Sequence, residues 1–173
     1  MELFTSFDGR ISRKSFWLGV LGIVLISFGF IFLMGTVFAR MGGMPSILPF
    51  TISLLLLYPA VAISVKRLHD RNKPAMPWIV IFFLPGLISN TMQNFQIDYT
   101  MMDLGEMVGN NGMMDTGGMM NMFGMGGHEV LVPGTVAMTV SFISLIVGIW
   151  ALIELGFLKG TTGENNYGPD PLD

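Results

Sequence analysis

The chain has no cysteine among its 173 residues. This excludes disulfides, thiolate metal centres and cysteine nucleophiles, and it leaves the compartment undecided on redox grounds. Charge is scarce as well. Asp, Glu, Lys and Arg together make up 12% of the residues, about half the share in a soluble globular domain. A net charge of −3 supplies no overall basic field, so no nucleic-acid partner is expected. No phosphate loop, paired-carboxylate site or metalloprotease motif occurs. Apolar residues, by contrast, reach 51%, and mean hydropathy is +0.62. This balance points away from a soluble enzyme or a disordered chain. The length suits a single domain.

What is present is a series of long uncharged runs. Phe16 to Ala39 holds 24 residues without a charge, enough at 1.5 Å per residue to cross a ~30 Å hydrocarbon core with some tilt. It is longer than the apolar region of a signal peptide and ends Phe38-Ala39-Arg40 rather than in a small-x-small cleavage site, so a retained helix is expected. Phe16 and Trp17 suit an interfacial anchor. Ile47 to Val65 forms a second span, with Pro59 expected to kink it. A third run, over 75–92, is interrupted by Pro85-Gly86. It is barely long enough to cross, and a re-entrant segment is its alternative. The fourth span covers 134–158, where Pro133 can open the helix. A polar, turn-rich tail follows over 159–173. The expected fold is therefore all-α, a polytopic bundle of four transmembrane helices in one membrane domain.

Between the third and fourth spans the composition changes. Residues 90–129 hold ten of the sixteen methionines, five acids and no Lys or Arg. No periodicity persists there, so a flexible external loop over 90–133 is expected, with short pieces such as Asp98 to Val108 locally helical. Met119, Met120, Met122 and Met125, followed by His128, place soft thioethers suited to Cu(I) close together. Copper or silver capture by this loop is one reading. A low-complexity insertion, or an apolar surface that touches lipid or a partner, is the other.

Basic residues set the threading. With four spans, residues 1–15, 66–74 and 159–173 share one side and carry eight of the nine Lys and Arg; Arg40 alone lies opposite. The positive-inside rule then places both termini and the middle loop in the cytoplasm, and the methionine-rich loop outside.

Three motifs carry a family resemblance. Phe7-Asp8-Gly9-Arg10-Ile11-Ser12-Arg13-Lys14-Ser15-Phe16-Trp17 opens the chain. Pro59-Ala60 and then Lys66-Arg67-Leu68-His69-Asp70-Arg71 lie mid-chain, and Lys159-Gly160, Gly163 and Asn166-Tyr167-Gly168-Pro169-Asp170-Pro171 lie near the end. In this order they resemble the domain-of-unknown-function 805 family, small bacterial inner-membrane proteins. The chain departs from that pattern at Asn72-Lys73-Pro74-Ala75-Met76-Pro77-Trp78, where the family usually has a Gly, a Ser and Trp residues, and in the methionine-rich loop, which looks inserted. The resemblance implies an all-helical fold in the bacterial inner membrane. It implies no activity, because the family has no established one.

All three motifs fall on the side assigned to the cytoplasm. Asp8, Arg10, Arg13, Lys66, Arg67, His69, Asp70, Asn166, Tyr167 and Asp170 are thus candidates for one polar cluster. Helical spacing permits Lys66–Asp70 and Arg67–Asp70 pairs. Arg and Lys suit a phosphate or an anionic lipid head group; the plainer reading is that they orient the spans and snorkel toward lipid phosphates. His69 has no partner histidine and no nucleophile–base set around it, so no catalytic residue is expected. Glu154, the one acid within an apolar run, is expected near Lys159 or another cytoplasmic base. The leading reading is a non-enzymatic accessory or interaction module without a cofactor, in contact with lipid and a possible membrane-protein partner. The runner-up is a small transporter or metal-handling protein.

Overall fold

The computed structural model describes residues 3–39, 47–103 and 129–172. Four helices follow in order: α1 (Arg13–Ala39), α2 (Ile47–Asp70), α3 (Trp78–Asn94) and α4 (Thr135–Leu152), the last continued by a π-helical turn, Ile153–Phe157. Two short strands, β1 (Tyr99–Asp103) and β2 (Glu129–Pro133), stand between α3 and α4. The helices expose Leu25, Phe28, Ile31 and Phe32 of α1 and Phe142, Leu145 and Ile146 of α4 on their flanks. In a bilayer such faces meet acyl chains, so apolar exposure costs nothing there.

Three helices are long and apolar enough to cross a membrane: α1, α2 and α4 with its π turn. The third run forms a helix of 17 residues, about 25 Å of axial length. Helix α2 runs unbroken through Pro59 to Asp70, past the expected boundary at Val65. It stops where Asn72 takes a left-handed conformation, φ 55°. The Asn72 N–H then bonds the His69 carbonyl and the Lys73 N–H bonds the Leu68 carbonyl, a Schellman ending that satisfies two orphan acceptors.

The stretch after α3 differs from the expected loop. Residues 90–94 complete α3. Residues 99–103, expected to be locally helical, are extended and pair antiparallel with 129–133, Tyr99 opposite Pro133 and Asp103 opposite Glu129. Val130 and Val132 favour a pleated backbone, and each strand supplies the ladder the other needs. Pro133 ends β2 rather than opening α4; Gly134 is the N-cap. Because Gly134 has no capping side chain, Asp98 serves instead: its carboxylate accepts the Ala137 N–H at 2.8 Å. The candidate metal ligands Met119, Met120, Met122, Met125 and His128 lie outside the described residues.

The best-packed core lies at the end of the bundle where the 3–12 segment, the 71–77 turn and the 158–172 tail meet. Ile11, Phe16, Ile63, Leu68, Phe82 and Leu155 form a buried cluster there, with Phe4, Trp78 and Ala151 packed against it. This apolar floor carries the polar site.

Candidate functional site

Asp70, at the end of α2, is the centre. It is buried, and its two oxygens face two different guanidinium groups. Oδ2 accepts from Nη1 of Arg67 one helical turn back. Oδ1 accepts from Arg10 through Nε at 3.3 Å and Nη2 at 3.1 Å. Arg10 then reaches the tail: Nη1 donates to the carbonyls of Gly163 at 2.7 Å and Gly168 at 3.0 Å, and Nη2 to the Thr161 carbonyl at 2.7 Å. All three nitrogens of this guanidinium are engaged. Thr161 returns the contact, its N–H and hydroxyl both donating to the Asp70 carbonyl at 2.9 Å. Asn165 Nδ2 ties the same tail to the His69 carbonyl at 2.9 Å.

Arg67 is 1% exposed and holds the end of α4. The π turn bonds the Leu158 N–H to the Ile153 carbonyl, and the neighbouring carbonyls turn toward α1 and α2. Arg67 Nε donates to the Leu155 carbonyl at 2.7 Å and Nη2 to the Leu158 carbonyl at 2.6 Å. Trp17 Nε1 donates to Gly156 at 3.2 Å, Arg71 Nη1 to Glu154 at 2.9 Å, and Arg13 Nη1 reaches Phe157 at 3.5 Å. A helix end leaves four carbonyls without partners, and near hydrocarbon each is costly. Here side chains from two other helices supply the donors, and the cations also suit the negative end of the helix dipole.

Two glycines are required by this closeness. A Cβ at Gly160 would overlap the Asp70 carboxylate, and one at Gly156 would lie 2.6 Å from the Trp17 ring.

The remaining sequence candidates occupy different places. His69 stacks on Tyr167 with ring centroids 3.9 Å apart and an interplanar angle of 5°, and among the described residues its buried Nδ1 has no hydrogen-bond partner. Asp170 closes the tail by accepting the N–H groups of Gly163 at 2.9 Å and Leu172 at 3.0 Å; these donors, Gly163 first, hold its carboxyl below the usual carboxylate range. Lys66 is buried and donates to the Leu3 carbonyl at 3.4 Å. Asp8 and Arg13 are exposed. Asn166 is exposed too, and its neighbour Asn165 makes the tail contact instead. Glu154 does meet a base, but not Lys159: both Arg71 and Lys73 pair with its Oε1, and Lys73 Nζ lies 4.5 Å from the Trp78 ring centroid. Among the described residues no three His, Asp or Glu side chains gather as a metal site.

Residues 4–169 match the model of a family described as "Protein of unknown function (DUF805)". The chain belongs to this family. Among its curated relatives is YiiR of Escherichia coli (strain K12), an uncharacterised protein 26% identical over 171 residues, 97% of this chain and 87% of that one. Another is the inner membrane protein YhaH of the same strain, 29% identical over 89 residues, 49% of this chain and 69% of that one. No solved structure matches. With three membrane-capable helices, this DUF805 protein is a multi-pass protein of the inner membrane.

Sequence reasoning did not single out Thr161, Asn165 or the carbonyls of 154–158 in this DUF805 chain. Carbonyl acceptors leave no mark in a sequence. Thr161 and Asn165 had one available signal, their position between Gly160 and Gly168 in a turn-rich tail.

Proposed function

We propose that the protein is a non-enzymatic membrane module, an accessory or interaction protein, that displays a latched basic face to the cytoplasm. The observation that supports this reading is how the site spends its charges. Arg10, Arg67 and Asp70 are consumed in bonds to one another and to backbone carbonyls. A catalytic centre keeps a base, acid or nucleophile facing the substrate space; Arg10, Arg67 and Asp70 instead turn their charges on one another and on carbonyls, where they join three remote segments. The side is argued from charge. Eight of the nine Lys and Arg lie at this end, the pattern of a cytoplasmic face.

Such a module acts by what it holds. The test is a photoreactive residue at Thr162 or Leu172, both exposed on the face, illuminated in native membranes. A discrete adduct with a protein or lipid is expected from at least one position. No adduct at either would overturn the reading.

A further inference from the structure

Beside the latch, between the start of α1 and the tail, lies a cleft of about 310 Å³. Ser12, Arg13, Lys14, Lys159, Thr161 and Thr162 are among its lining residues. We propose that this cleft binds a phosphate group, carried either by an anionic phospholipid head group or by a soluble phosphate. The inference rests on the reading of this end as an interaction face and names what that face takes.

The cations at this end fall into two groups, those held in ion pairs and those that are not. Arg10 and Arg67 close on Asp70, and Arg71 and Lys73 close on Glu154. Arg13, Lys14 and Lys159 are exposed at the cleft, and no carboxylate among the described residues lies within ion-pair distance of them. The other charged groups of the lining are Arg67, Asp70 and Asp170. Both carboxylates are already committed, Asp70 to two guanidiniums and Asp170 to two backbone N–H groups. Three unpaired cations thus face two occupied carboxylates, and Arg13 stands near enough to the paired Arg67 for the like charges to repel. An anion in the cleft relieves that repulsion.

The donors suit phosphate in kind as well as in charge. Arg13 offers a planar fork with one weak contact, to the Phe157 carbonyl at 3.5 Å, and the two lysines offer point charges. Ser12 caps α1 through the Ser15 N–H at 3.3 Å, and Ser12, Arg13 and Lys14 line the cleft, which places it at the positive end of a 27-residue helix. Trp17, Leu18 and Phe157 are exposed next to these cations, which sets the cleft where acyl chains give way to head groups.

The experiment uses the full chain in a non-ionic detergent and reads thermal unfolding with two probes: inorganic phosphate against chloride, and phosphatidylglycerol against phosphatidylcholine. At least one phosphate source is expected to raise the midpoint of the wild type. Protection by both sources shows that the phosphate group itself is recognised. Protection by lipid alone assigns the head group, and by inorganic phosphate alone a soluble ligand. Arg13→Gln with Lys159→Gln should weaken the protecting ligand at least tenfold. Thr162→Trp, which fills the cleft without changing its charge, should do the same, whereas diffuse attraction to a basic surface would survive it. No protection from either probe, or a Thr162→Trp variant that binds like the wild type, overturns the proposal. If adducts still form at Thr162 or Leu172 in that case, the interaction face stands and only its ligand is wrong.

Discussion

At the residue scale, Arg67 separates a charge that orients the chain from a side chain that builds it. A topology signal needs only a positive charge, so lysine would serve. The structure asks more: Nε, Nη1 and Nη2 each reach a different acceptor on α4 or on Asp70. A lysine ammonium is a single point with three donors and cannot span those positions. Arg67→Lys should therefore leave the threading intact and destabilise the purified protein by about 2–4 kcal/mol, since each buried carbonyl left unpaired costs about 1–3 kcal/mol. Unfolding curves in detergent would show it. Curves matching the wild type would reduce Arg67 to a topology determinant.

At the element scale, α4 owes both of its ends to other parts of the chain. Asp98 answers the N–H groups at its start, and Arg67, Arg71 and Trp17 answer the carbonyls at its finish. Acid at the beginning and base at the end is the arrangement a helix dipole favours. The helices themselves were legible, because uncharged runs of this length have few other uses. The Arg67–Asp70 pair was legible too, from its spacing of three. The strands were not: five residues beside a methionine- and glycine-rich stretch show no period, and their order comes from pairing with a segment 30 residues away. That pairing has a testable consequence. Asp103 and Glu129 are partners across the ladder, so the segment between them leaves and returns at adjacent positions. Replacing 104–128 by a two-residue Asn-Gly turn, which suits an antiparallel hairpin, should leave the unfolding midpoint of the bundle within about 2 °C of the wild type. A large fall would mean that the segment packs on the helices. The same variant serves the copper question, because any metal phenotype owed to the methionines should vanish while the fold stays.

At the scale of the whole molecule, three segments distant in sequence close on one end of the bundle, and the cytoplasmic side proposed for that end from its charge is open to a direct test. Reporter fusions after Lys73 and after Leu172 should be active only as cytoplasmic reporters, and a fusion near Gly118 only as an exported one. A cytoplasmic signal from Gly118 would make α3 re-entrant, and its 17 residues make that the sharpest outcome to look for. The latch also imposes an order in time. Arg10 is made early, yet its acceptors at Thr161, Gly163 and Gly168 leave the ribosome only after every helix has been synthesised. Until then its guanidinium lacks the tail's carbonyls, and the Leu155 and Leu158 carbonyls that Arg67 will cap do not yet exist. Closure of the tail thus has to follow synthesis of the described helices, and a chain cut short before Thr161 would leave Arg10 without its three carbonyl acceptors.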